Sequence, residues 1–255
     1  MYSNIFDTHA HYDDEKFDED RTELLSSLPS KGVVNVINCG CDLASSLKSI
    51  EFSEKYGFFY SAVGVHPSNI TEASYTELER IKELYSHKKC VAVGEIGLEY
   101  HYDFVPKDLQ LDIFEKQLAL ANELDLPVIV HDREAHEDTM RLLKKYKPKG
   151  VVHCFSGSLE TAKETLKLGM YIGLGGAVTF KNAKKPLEVA EYVPEDRLLL
   201  ETDCPYMSPV PFRGRRNSSE LIAYSSEKIA EVRHTDTQQL INSAAENARR
   251  LFEIE

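Results

Sequence analysis

Two kinds of hydrophobic pattern alternate along the chain. Short continuous apolar runs occupy positions 5–6, 33–38, 58–65, 90–94, 126–130, 150–152, 170–176 and 197–200. Between them lie longer stretches in which apolar residues recur every three or four positions, over 21–28, 42–56, 75–85, 106–124, 139–146, 159–168 and 186–193. The first pattern predicts strands buried on both faces and the second amphipathic helices. Glycine and proline mark several junctions: Pro29 and Gly32 separate a helix from the second strand, and Gly57 closes the next helix. Two further helical stretches, 221–232 and 237–252, follow the last strand and would cover the outside or bottom of the fold.

Eight buried strands, each separated from the next by helix-like sequence, predict a parallel α/β architecture. In 255 residues they favour a closed (β/α)8 TIM barrel over an open sheet, with residues 1–255 as one domain. The acidic run 12–20 reads as a solvent-facing loop after the first strand. Gly173-x-Gly175-Gly176 lacks the spacing and the following Lys-Ser or Lys-Thr of a phosphate loop, and reads as close backbone packing.

Composition narrows the function. Asp and Glu number 42 against 30 Lys and Arg, a formal charge of −12. Such a surface does not hold a long duplex by its general field, because that depends on basic residues neutralising phosphates. A small nucleic-acid site with its positive charge supplied by bound metal is compatible with it. Five cysteines, an odd number, at 39, 41, 90, 154 and 204 predict free thiols in a reducing compartment. No run approaches the roughly 20 apolar residues of a membrane span and no basic-then-apolar leader is present. The expectation is a cytoplasmic protein without membrane contact and, having no long exposed apolar face, a monomer.

The candidate chemistry lies at the carboxyl ends of the strands, which converge on one face of a parallel barrel. Five of the nine histidines (9, 11, 66, 131 and 153) fall there, with Glu95, Glu201 and Asp203. His9 and His11, two apart on a strand, point to the same side. Imidazoles mixed with carboxylates are ligands for zinc, manganese, iron or magnesium. The count fits two ions: His9, His11 and Asp203 for one, His131 and His153 for the other, and Glu95 bridging with its two oxygens. Two ions about 4 Å apart activate water and clamp the attacking and leaving oxygens of a phosphoryl or acyl transfer. Asp203 is also placed to take the proton of the attacking water, and Glu201 to support a ligand by hydrogen bonding.

His66 divides between substrate contact and support of the site. Arg133, Lys181, Lys184, Lys185, Arg213, Arg215 and Arg216 are local counter-charges suited to a few phosphates. Tyr100, Tyr102, Phe104, Phe155 and Tyr206 offer stacking surface or plain packing. His87, His136 and His234 read as surface residues, and Cys154 and Cys204 as packing.

Phe6-Asp-Thr-His9-Ala-His11, Gly64-Val-His66-Pro67, Gly94-Glu-Ile-Gly-Leu98, Pro127-Val-Ile-Val-His131, His153-Cys-Phe-Ser-Gly157 and Glu201-Thr-Asp203-Cys-Pro205 together resemble the TatD family of metal-dependent hydrolases and deoxyribonucleases. The resemblance covers nearly the whole chain. It implies a distorted TIM barrel of the amidohydrolase kind, one metal site from His9, His11, Glu95 and Asp203, a second from Glu95, His131 and His153, and substrate roles for His66 and Arg213. It also implies exonuclease action on DNA ends or short single strands with magnesium, zinc or manganese being the alternative ions. Many relatives carry Asp where this chain has Glu99. The expected activity is 3′–5′ removal of nucleotides through metal-activated water, with Asp203 and Glu95 catalytic; the alternative is a metal-dependent hydrolase of small esters, amides or lactones. A non-enzymatic partner-binding protein using Arg213, Arg215 and Arg216 is the remaining reading.

Overall fold

A computed structural model describes residues 2–254. Eight strands form one sheet in sequence order, every adjacent pair parallel: β1 (Ile5–Ala10), β2 (Val33–Cys39), β3 (Phe59–Val63), β4 (Cys90–Glu99), β5 (Val128–Arg133), β6 (Gly150–Val152), β7 (Tyr171–Leu174) and β8 (Leu198–Leu200). Helices α1 (Arg21–Ser27), α2 (Leu43–Lys55), α3 (Ser74–Leu84), α4 (Lys107–Leu124), α5 (His136–Tyr146), α6 (Leu159–Lys167) and α7 (Lys184–Tyr192) fill the seven crossovers. Then α8 (Ile222–Arg233) and α9 (Thr237–Phe252) follow β8. This is the distorted (β/α)8 barrel expected from the apolar pattern.

Strand interiors are almost wholly buried, because inward side chains fill the barrel and outward ones pack under the helices. Side-chain caps set the starts of three helices. Asp42 takes the Ser45 N–H in a reciprocal capping box before α2, and Ser158 and Asp236 do the same work before α6 and α9.

The barrel closes between its first and last strands. Ala10 bridges Cys204, Asp203 N donates to His9 O at 2.9 Å, and His11 N donates to Cys204 O at 2.8 Å. Asp7 reinforces this seam: its buried carboxylate accepts from Thr202 N (3.0 Å), Thr202 Oγ1 (2.6 Å) and Ser219 Oγ (2.7 Å).

Two expectations are corrected. β4 continues five residues past Gly94, pairing Gly97 with His131 and Glu99 with Arg133. The run 12–20 is anchored rather than merely solvent-facing. Tyr12 and Phe17 are fully buried with their rings 4.8 Å apart, and Tyr12 Oη donates at 2.8 Å to Ser219 Oγ, whose own proton goes to Asp7.

Candidate metal centre

The strand-end donors converge at the floor of a cavity of about 630 Å³ at the carboxyl-terminal mouth of the barrel. Glu95, on β4 and 3% exposed, lies at the centre of the arrangement. Its Oε2 faces His9 Nε2 at 3.3 Å and His11 Nε2 at 3.4 Å. Its Oε1 faces His131 Nδ1 and His153 Nε2, both at 2.8 Å, and His66 Nε2 at 3.4 Å. Asp203 Oδ1 completes the first group, 3.6 Å from His9 Nε2 and 3.4 Å from His11 Nε2. The two histidine sets expected from the sequence are therefore brought onto different oxygens of one carboxylate. The sets are not isolated, since the His9 and His153 rings stack with centroids 3.8 Å apart.

These donors fit divalent cations. Metal–nitrogen and metal–oxygen bonds near 2.1 Å place neighbouring donors roughly 3.0–3.4 Å apart around one ion, and the separations here run from 2.8 to 3.6 Å. The outer ring nitrogens are backed by acceptors. His11 Nδ1 is 3.0 Å from Cys39 O, His131 Nε2 is 3.3 Å from Glu99 Oε2, and His9 Nδ1 is 3.4 Å from Cys39 Sγ. With the outer nitrogen protonated, the inner one keeps its lone pair for a cation. Multiple overlapping His, Glu and Asp clusters thus form a site for a pair of divalent ions.

The local electrostatics follow from this crowding. Burial opposes ionisation of Glu95, yet the imidazoles of His153, His66 and His9 hold its carboxyl well below the usual range. His153, against the same burial penalty, is pushed up to about 10 by Glu95 and Glu201. Burial keeps His9 and His66 low.

Glu201 lies behind the centre. Its Oε1 accepts from Cys154 N and stands 3.7 Å from His153 Nδ1. Gly173 makes room for it, because a Cβ there would fall 2.3 Å from Glu201 Oε2. The glycines at the end of β7 and just after it mark close packing, as expected.

His66 Nδ1 accepts from Ser68 N at 3.1 Å, so its Nε2 carries the proton of the neutral ring and faces the cavity as a donor. Arg213 does not line the cavity; its guanidinium lies over the Phe180 ring, 3.8 Å from the centroid. Arg216 forms a fork with Asp20, with contacts of 2.7 and 2.5 Å. Arg133 is the one lysine or arginine in the described lining. Of the five aromatic candidates, Tyr102, Phe104 and Tyr206 line the mouth, Phe155 is buried in the core, and Tyr100 hydrogen-bonds Asp138 at 3.0 Å.

One neighbour escaped the sequence reading, and another, Glu99, was singled out there without its contact to His131. Cys41 Sγ comes within 3.9 Å of Glu95 Oε2 and 3.8 Å of His11 Nδ1. Its place at the end of β2 was the available signal. Glu99 lines the cavity and also holds His131 from behind, and its Oε1 accepts from His101 N at 2.7 Å. The extension of β4 that puts it there was hidden by Gly94 and Gly97.

A parallel eight-stranded barrel with a histidine–carboxylate centre at its carboxyl-terminal mouth defines a metal-dependent hydrolase of the amidohydrolase kind. Residues 6–253 match the family described as TatD related DNase, and the chain belongs to that family. It is 44% identical over 253 residues to the uncharacterized metal-dependent hydrolase YabD of Bacillus subtilis, covering 98% of this chain and 99% of that one. It is 34% identical over 258 residues to the 3′-5′ ssDNA/RNA exonuclease TatD of Cronobacter sakazakii, covering 97% of each. The crystal structure of the TatD homolog YjjV from Escherichia coli superposes with a TM-score of 0.92 at 32% identity, covering all of both chains. Among the described residues no helix is long and apolar enough to cross a membrane.

Proposed function

We propose that the protein is a phosphodiesterase that removes nucleotides from the 3′ end of single-stranded or frayed DNA. The observation that carries this reading is the division of the two Glu95 oxygens between two histidine sets, with Asp203 beside one of them at the cavity floor. The relative from Cronobacter sakazakii, named for single-strand exonuclease activity, supports the substrate class.

In this reading His9, His11, Glu95 and Asp203 hold one cation and Glu95, His131 and His153 the other. Bound divalent ions supply Lewis acidity and make water a nucleophile near neutral pH. Magnesium suits the phosphate substrate, and the imidazole-rich donors also accept zinc or manganese. Asp203 has a side chain 20% exposed, against 4% for Glu95, so it is the carboxylate that incoming water reaches. It accepts the proton at its carboxylate as the nucleophile attacks. His66 donates from Nε2 to a phosphoryl oxygen, and Glu201 keeps His153 in place. Arg213 shares its loop with the cavity-lining Tyr206 and Met207, and we assign it phosphates further along the strand. The five free cysteines favour a cytoplasmic setting.

A second reading has one observation in its favour. Asp13, Asp14 and Asp42 line the mouth together with Glu99 and a single arginine, a lining that favours a compact substrate over a polyanion. It is a hydrolase of small esters, amides or lactones.

The deciding experiment strips the protein of metal, restores magnesium, manganese or zinc separately, and follows end-labelled single-stranded DNA. Shortening from the 3′ end that is lost in a His131→Ala, Asp203→Ala double variant is expected. Intact DNA under every metal, with folded and loaded protein, would shift the assignment to the small-molecule reading.

A further inference from the structure

The mouth of the cavity has two chemically different sides. Asp13 and Asp14 follow β1 and Asp42 follows β2, whereas Tyr102 and Phe104 follow β4 and Arg133 ends β5. In an eight-stranded barrel wound in sequence order, β5 stands across from β1, so a wall of three aspartates faces an aromatic one that carries Arg133 beside Glu99, whose carboxylate is turned to His131.

The aromatic wall has the form of a platform. The Tyr102 and Phe104 rings stack with centroids 5.1 Å apart and planes within 7° of parallel. The Arg133 guanidinium lies 5.1 Å from the Tyr102 centroid. Phe104 is 71% exposed, the largest exposure among the large hydrophobic side chains, and Tyr102 is 43% exposed.

The loop that carries these rings is held at both ends. Glu99 Oε1 accepts from His101 N at 2.7 Å and from Tyr102 N at 3.3 Å. Gln110 Nε2 donates to Val105 O at 2.9 Å, and Val105 is buried. A phenylalanine fixed in water beside a hydrolytic cavity carries an apolar face with no partner of its own.

We propose that Phe104 and Tyr102 form a stacking subsite for one unpaired nucleobase next to the scissile phosphate, with Arg133 supplying the adjacent positive charge. The proposal rests on the nuclease reading and deepens it. Stacking accepts any base, because every base offers a π face, and it requires the base to be free of its complement. The acidic wall across the mouth repels the phosphates of a second strand, so the same cavity selects a single strand and lays it toward β4 and β5.

The test compares single-stranded DNA ending in a normal nucleotide with the same strand ending in an abasic one. Wild-type, Phe104→Ala and Phe104→Trp proteins are assayed with the metal that supports turnover. Wild type is expected to favour the base-bearing end by about ten-fold in kcat/KM. Phe104→Ala is expected to lose about that factor on the base-bearing end and far less on the abasic end, while Phe104→Trp restores the preference. Equal losses on both ends, or none, would overturn the subsite and leave the nuclease reading standing. Cleavage of neither strand by wild type would remove the nuclease reading and the subsite with it.

Discussion

Glu99 Oε2 stands 3.3 Å from His131 Nε2, on the side of the ring opposite Glu95. A carboxylate behind a histidine ligand fixes the tautomer and raises the basicity of the nitrogen facing the cation. Glu99→Ala is therefore expected to weaken cation binding at the Glu95–His131–His153 group by about 10- to 100-fold. Calorimetric titration of stripped protein measures this, and unchanged affinity would deny Glu99 that role.

Glu95→Ala removes the one side chain among the described residues whose carboxylate faces both histidine sets. Metal content by mass spectrometry is expected to fall from about two ions per chain to below one, with hydrolysis reduced by more than about 100-fold. Arg213→Ala is expected to keep its metal. A Glu95→Ala protein that still carried two ions would dismiss the shared carboxylate.

Gly173→Ala puts a methyl group 2.3 Å from Glu201 Oε2 and 3.2 Å from the His153 Cα. Glu201 is buried. A loss of about 1–3 kcal/mol in chemical denaturation is expected, accompanied by weaker metal retention. Gly57→Ala, where nothing lies within 4 Å of the added carbon, is the control and should change stability little. Equal stability of the two variants would mean that the β7–β8 packing yields easily.

The Asp20–Arg216 fork gives a pH prediction with a definite sign. Hydrogen bonding from Arg216 lowers the Asp20 carboxyl below its ordinary 3.8. The folded state thus gains from this pair above the unfolded value, and the gain disappears as pH falls through the lowered one. Because the pair is largely solvated, its worth is at most about 1 kcal/mol. A double-mutant cycle of Asp20→Asn and Arg216→Gln should show that coupling at pH 7 and lose it near pH 2; a coupling that persists in acid would exclude the ionic explanation.

The barrel was legible because its strands are short apolar runs and its helices carry an apolar stripe. The donor set was legible because parallel strands must end on one face, which reduced a problem of contacts to one of position along the chain. β4 was misread at Gly94 and Gly97, since glycine ordinarily weakens a strand. Here a Cβ at Gly97 would lie 2.0 Å from His131 O and one at Gly94 would lie 2.7 Å from the Ile129 Cβ, so these glycines mark close strand approach rather than an end. The positions of Cys41 beside Glu95 and of Arg213 over Phe180 depend on loop paths and rotamers that no periodicity encodes. Tyr12 and Phe17 escaped notice because their acidic neighbours dominate the local composition.

The closure of the barrel by Ala10 and Cys204 places His9 and His11 on one side of the join and Asp203 on the other. In the proposed reading, a cation held by these three side chains would fasten the beginning of the polypeptide to a point more than three-quarters of the way along it, and parting the join would mean giving up the ion. That position would then form only after the eighth strand has been made: a nascent chain still short of Asp203 lacks a ligand, whereas Glu95, His131 and His153 are already present in its emerged middle.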